Sequence, residues 1–197
     1  MYIRKATPND SCAELNALAI DDMSQILFGS DDYDLILEGF SYLFNKTNNR
    51  FSYQYTDIAV KDGKIAGAIT ALPLKELNRT ALCTILQIIK WKKLDIIPHI
   101  FKYMFKILPL TLMKEGNNNE YHISMIAVKD DFQGTGVASS LLNYVERKAI
   151  KKHYKNISLT VKINNEQAKN IYQQKGYKIV GKIKSPVQLY RMRKSLN

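Results

Sequence analysis

The chain has 197 residues, 46% of them hydrophobic and 24% charged, with 29 Lys and Arg against 18 Asp and Glu for a net charge of +11. That length fits one domain, and the composition excludes a disordered chain, a collagen-like chain and a disulfide scaffold. Two isolated cysteines, Cys12 and Cys83, with no CxxC and no nearby Cys/His pair, argue against a metal site and suit a reducing cytoplasm.

Tyr2 to Lys5 reads as a short strand. Pro8-Asn9-Asp10-Ser11 opens a helix carrying Leu15, Leu18 and Ala19. After a break at Gly29-Ser30-Asp31-Asp32, Tyr33 to Phe44 places Leu35, Ile36, Phe40 and Leu43 on one helical face. Tyr53 to Val60 and Ile65 to Leu72 read as strands joined through an Asp62-Gly63 hairpin turn. Residues 73–119 form a connection too long to be structureless in a compact domain, with helical patterns at Ala81 to Trp91 and His99 to Leu108. Its most apolar part, Ile96 to Met113, carries His99, Lys102 and Lys106 and is broken by Pro98 and Pro109, so no membrane span is expected.

Tyr121 to Val128 is a strong strand. Gly136 to Lys152 is a helix, with Val137, Leu141, Leu142 and Val145 at helical spacing and Arg147, Lys148, Lys151 and Lys152 toward the negative end of its dipole. Ile157 to Ile163 is a strand, Glu166 to Lys175 a helix, and Tyr177 to Ile183 and Val187 to Met192 are strands. This order implies a single α+β (mixed α/β) domain over 1–197. A mostly antiparallel sheet of about seven strands has one parallel crossover, and a helical insertion at about 74–118 separates the third and fourth strands.

Charge is distributed unevenly. Residues 1–60 carry four Lys or Arg against nine Asp or Glu, and residues 61–197 carry 25 against nine. A basic body attracts polyanions, or is simply a soluble surface; a phosphate-binding loop within it would favour the first. A candidate loop is present. In Ile126-Ala127-Val128-Lys129-Asp130-Asp131-Phe132-Gln133-Gly134-Thr135-Gly136-Val137-Ala138 a strand ends, a short loop follows and two glycines one residue apart open a helix, as either a phosphate-binding loop or a plain turn and cap. The first helical N–H groups lack internal partners and point outward at the positive end of the dipole, which suits phosphate or pyrophosphate. The loop has neither the Lys-Ser/Thr of a nucleotide P-loop nor the spacing of a dinucleotide fingerprint.

Gln133-x-x-Gly136-x-Ala138 resembles the Arg/Gln-x-x-Gly-x-Gly/Ala signature of the GNAT superfamily of N-acetyltransferases. Asn165-x-x-Ala168, Ile171-Tyr172 and Lys175-Gly176-Tyr177 are similar to that family's second motif, and the opening Ile3 to Pro8 and the Asp62 to Gly67 hairpin also resemble it. The resemblance covers the chain except roughly 74–118 and implies a GNAT-like sheet with helices on both faces. It implies acetyl-CoA as cosubstrate and no metal. The pyrophosphate would rest on the amides of Gly134, Thr135, Gly136, Val137 and Ala138, beside Gln133, which stands where many members have Arg. The pantetheine arm would lie along Ile126, Ala127 and Val128, with Asn165 and Ala168 nearby. Asn165 is equally suited to capping the helix that follows it. Tyr172 would act as general acid to the departing thiolate.

An alkyl amine is protonated at neutral pH, so its attack on a thioester needs a base. His122 is the candidate, with Glu120 or a water as alternatives. Strand alternation places Glu120, His122, Ser124 and Ile126 on one face unless a bulge intervenes. The expected partners are therefore acetyl-CoA and an amine acceptor, a small molecule or a protein, on a monomer or homodimer in the cytoplasm. No membrane or nucleic-acid partner is expected. A non-catalytic acyl-CoA-binding regulatory module is the alternative, and a nucleic-acid binder comes third, since no helix-turn-helix or aromatic RNA-binding signature is present. Asp21, Asp22, Asp31, Asp32 and Asp34 suit either a cationic acceptor or a solvated helix face.

Overall fold

The computed structural model describes residues 1–92, 115–184 and 187–196. The expected helix at His99 to Leu108, the apolar run after Trp91 and the Ser185-Pro186 turn lie outside the described residues.

Seven strands form one sheet: β1 (Tyr2–Lys5), β2 (Thr56–Lys61), β3 (Lys64–Pro73), β4 (Tyr121–Val128), β5 (Asn156–Lys162), β6 (Lys178–Ile183) and β7 (Leu189–Ser195), in spatial order β1-β2-β3-β4-β5-β7-β6. All neighbours are antiparallel except β4 and β5. The β2–β3 hairpin turns through Asp62 and Gly63 at φ 52° and 75°, and the paired positive values match the right-handed twist of the flanking strands.

The first helical region is three helices rather than two: α1 (Ala13–Ile20), α2 (Met23–Phe28) and α3 (Tyr33–Phe44). The extra break falls at Asp21, whose φ of 50° ends α1. Asp32 caps α3 by accepting from the N–H groups of Asp34 and Leu35. α4 (Leu74–Lys92) starts directly after Pro73, earlier than its apolar pattern suggests. α5 (Val137–Lys151) and α6 (Glu166–Gln174) complete the described helices.

The core has two main faces. On one, Val137, Leu141, Leu142 and Val145 of α5 pack with Tyr121, Ile123, Ile157 and Leu159 of the sheet. On the other, Ile20, Phe28, Phe40 and Phe51 gather around Met125, and Leu15 and Phe44 around Ala127.

Strand β4 divides its side chains between these faces by means of a bulge. Thr70 pairs with Met125 but Ala71 pairs with Ile123, which leaves Ser124 as the extra residue. An inserted residue reverses the alternation beyond it. Tyr121 and Ile123 face α5, Met125 and Ala127 face α1–α3, and Ile126 and Val128 return to the α5 side. The expectation that His122 and Ile126 share a face is thereby corrected.

Candidate active site

The parallel neighbours β4 and β5 are paired only from Tyr121 to Ile123 against Ile157 to Leu159. Past Ser124 and Thr160 they diverge, and the backbone edge of β4 that faces β5 is left without a ladder partner. A cavity of about 870 Å³ occupies this opening. Its α5-side wall includes Ile126, Val128, Gln133, Gly134, Gly136, Val137, Ala138 and Ser139, with Asn165, Ala168 and Tyr172 of the α6 region. Its opposite wall comes from α1, α2, α4 and the residues around Arg50.

The helix start at the mouth is open. Gly134 and Gly136 hold φ of 72° and 82°, a region that L residues with a side chain rarely adopt, and a Cβ at either would meet no atom within 4 Å. Gly136 is the N-cap of α5, and no side chain caps it. The leading amides of α5 therefore point into space with the positive end of the dipole behind them. Gln133 turns its amide to Asp130 Oδ1 at 2.7 Å, and Thr135 Oγ1 donates to the Phe132 carbonyl at 2.7 Å.

Of the residues expected from sequence, Ile126, Ala127, Val128, Gln133, Gly134, Gly136, Val137, Ala138, Asn165, Ala168 and Tyr172 line the cavity, while Thr135 and His122 are not part of its lining. Asn165 caps α6, its Oδ1 accepting from Ala168 N–H at 3.0 Å. Tyr172 is 8% exposed, and burial pushes its phenol up to about 12. At neutral pH that hydroxyl remains a hydrogen-bond donor.

His122 is fully buried behind the wall. Its Nδ1 lies 3.0 Å from Ser158 Oγ, its cross-strand partner, and its Nε2 lies 3.3 Å from Glu115 Oε2. Glu115 is the member of this group that reaches the cavity. Arg50 joins it at 3.2 Å and donates through Nη2 to Ser124 Oγ at 3.0 Å. Burial opposes ionisation of Glu115, but the charges and hydrogen bonds of Arg50 and His122 outweigh it and hold the carboxyl well below the usual carboxylate range. Glu120 turns instead to Arg191 at 3.1 Å and to Asn117 N–H, and is not part of the lining.

Glu115 and Arg50 were not singled out by sequence. They lie 65 positions apart and meet only through the tertiary fold, and neither belongs to a motif. Of the acidic residues near the first helices, Asp32 serves as a cap, while Asp21 and Asp22 take Lys162 Nζ at 2.7 and 3.3 Å across the opening from β5. Among the described residues, no group of three or more His, Cys, Asp or Glu is placed to hold a metal ion, and no helix is long and apolar enough to cross a membrane.

The sheet thus splits between two parallel strands, and an open helix start lies at the split. Residues 19–177 match the model of the acetyltransferase (GNAT) family, and the chain belongs to that family of acyltransferases, which use acetyl-CoA as cosubstrate. It is similar to an N-acetyltransferase from Staphylococcus aureus Mu50, with 26% identity, a TM-score of 0.80 and coverage of 98% of this chain and 100% of that one. A second acetyltransferase structure matches with a TM-score of 0.77 at 21% identity over 100% of both chains. Naa20 of Chaetomium thermophilum, solved with a bisubstrate analogue, shares the fold with a TM-score of 0.55 at 17% identity over 100% of this chain and 87% of that one. No curated protein matches the sequence.

Proposed function

We propose that this protein is an N-acetyltransferase that moves the acetyl group of acetyl-CoA directly to a primary amine. The observation that carries the reading is that one cavity joins the open start of α5, the unpaired edge of β4 and Tyr172. The cavity fits the cosubstrate: the glycines leave room at the amides, and the β4 edge offers backbone groups to an extended arm.

In this reading the amides from Gly134 to Ala138 hold the pyrophosphate, with Gln133 beside them, and Ile126 to Val128 hold the arm. Asn165 and Ala168 border the arm. Acetyl-CoA supplies an activated thioester. Tyr172 acts as general acid, giving its phenolic proton to the sulfur as the C–S bond breaks, in a site whose low polarity raises the basicity of that sulfur. His122 serves as the base by way of Glu115. The carboxylate faces the incoming ammonium, and His122 behind it, within hydrogen-bond reach of Glu115 and of Ser158 Oγ, takes the proton. The resulting imidazolium is hydrogen-bonded at both nitrogens.

Calorimetric titration with acetyl-CoA followed by a thiol-release assay over a panel of amines tests this. Micromolar-range binding with release of CoA thiol and an acetylated amine is the expected result. Binding without turnover of any amine would establish the regulatory-module alternative instead.

A further inference from the structure

The two walls of the cavity differ in chemistry. The wall built by α1, α2, α4 and the residues around Arg50 presents Leu18, Met23, Leu27, Phe51, Ala81 and Ile85. Leu18 is 50% exposed, and Met23, Leu27, Ala81 and Ile85 are half-buried, so apolar surface is left uncovered on this side.

Most polar groups of the same wall, Arg50 Nε excepted, already have partners within the protein. Asn78 donates to Asn118 Oδ1 at 3.3 Å. Thr84 Oγ1 donates to the Thr80 carbonyl at 2.7 Å and accepts from Arg50 N–H at 3.2 Å. Ser124 accepts from Arg50, and Asp21 from Lys162.

Among the described lining residues, Asp21 and Glu115 are the carboxylates, while Arg50, Lys162 and Lys175 are cations. One ammonium can be placed at Glu115 beside the base. That ammonium shares Glu115 with Arg50, whereas a second or third would meet a lining whose cations outnumber its anions and would have to displace Lys162 from Asp21.

We infer that the acceptor is an amine with one cationic nitrogen and an apolar body, such as an alkylamine, an arylalkylamine or a peptide N-terminus with a large apolar first side chain, and not a polyamine or an aminoglycoside. This rests on the acetyl-transfer reading above and names its substrate class. The nitrogen faces Glu115 near the split of β4 and β5, and the body lies along the α2–α4 wall.

The test is a homologous series of n-alkylamines from ethylamine to hexylamine, assayed by thiol release with acetyl-CoA saturating. Nitrogen basicity is nearly constant along the series, so differences report burial of the chain. Each fully buried methylene should raise kcat/KM by about fourfold, from a transfer free energy of about 0.8 kcal/mol. Spermidine and kanamycin should fall at least about tenfold below hexylamine, as a ratio of kcat/KM values set by differential binding. Calorimetric titration of the protein–CoA complex should show the same order of affinity without turnover. Leu27→Ser and Ile85→Ser should each lower the hexylamine-to-ethylamine ratio. Tripeptides beginning with Met, Leu or Ser separate the two sources of the shared chemistry, since Met and Leu exceed Ser only if peptide ends are taken.

A flat or falling series, a preference for spermidine or kanamycin, or an unaltered ratio in both variants would overturn the inference while leaving acetyl transfer intact. Absence of acetyl-CoA binding, with no thiol release from any amine, would overturn the acetyl-transfer reading and the inference with it.

Discussion

At the scale of single residues, Tyr172 and Glu115 carry the sharpest expectations. Tyr172→Phe keeps the ring and its edge contact with Tyr177, 6.0 Å between centroids, and removes only the hydroxyl. General acid–base groups typically contribute about 10²–10⁴-fold, so kcat should fall by that order while calorimetric affinity for acetyl-CoA stays near that of the parent. For the base, kcat/KM should rise with pH in the parent, and His122→Ala should remove that limb without changing acetyl-CoA affinity. Glu120→Gln should keep the limb, because Glu120 faces Arg191 and lies off the cavity. Tyr172 was legible because it stands at fixed spacing between Asn165 and Gly176. His122 was legible only as a residue type on a strand. Its distance from the cavity depends on Glu115 and on the bulge, and neither has a local sequence signal.

At the scale of elements, the start of α5 separates folding from binding. Gly136→Val places a β-branched residue at positive φ, a strain of about 1–2 kcal/mol, yet its Cβ enters open space in the free protein. The expected outcome is a fall of a few degrees in melting temperature, read by scanning calorimetry, with a much larger loss of acetyl-CoA affinity as the side chain covers the amides. A parent-like affinity would show that the loop does not hold the phosphates. The opposite case is Gly39 in α3, where an added Cβ would lie 2.4 Å from the buried Phe28 ring. Gly39→Ala should cost about 1–3 kcal/mol in denaturant unfolding through overpacking. Periodicity alone found α3 and α5 nearly to the residue, because each has a continuous apolar face. It did not find the α1–α2 break, since Asp21-Asp22 carries no glycine or proline to mark it, nor the early start of α4, where Leu74 and Leu77 stand among polar residues.

At the scale of the whole molecule, the uneven charge of the sequence becomes a set of pairs between distant parts of the chain. Glu14 meets Lys129, Asp21 meets Lys162, and Asp57 meets Lys148. The acidic first third is thus partly neutralised by the basic remainder, which composition alone could not reveal. The buried carboxylates also set the response to acid. Glu115 is held at about 2 in the folded protein against about 4.3 unfolded, so its stabilisation is complete above the unfolded value and is lost as pH falls through the folded one. Urea unfolding of the parent should therefore weaken between about pH 4.5 and 2. Glu115→Gln should be destabilised near neutral pH by about 1–3 kcal/mol, because Arg50 and His122 lose a charged partner, and the gap should close toward pH 2. A constant gap across that range would mean that Glu115 is not the titrating group.

The bulge at Ser124 makes β4 a partition wall with a different tenant on each side. Beyond that residue, Ile126 and Val128 belong to the wall proposed for the cosubstrate, and Met125 belongs with the aromatic cluster behind the proposed acceptor wall. Deleting Ser124 would leave Ile123 and Met125 as neighbours in a regular ladder opposite Ala71 and Thr70, with Met125 and Ala127 still on the α1–α3 side and Ile126 and Val128 still on the α5 side. Substitutions on the α2–α4 wall leave this partition standing, so the choice of amine can drift under selection while the thioester stays seated. The two faces of this one strand, alternating beyond Ser124, are what let the acceptor side vary without moving the cosubstrate side.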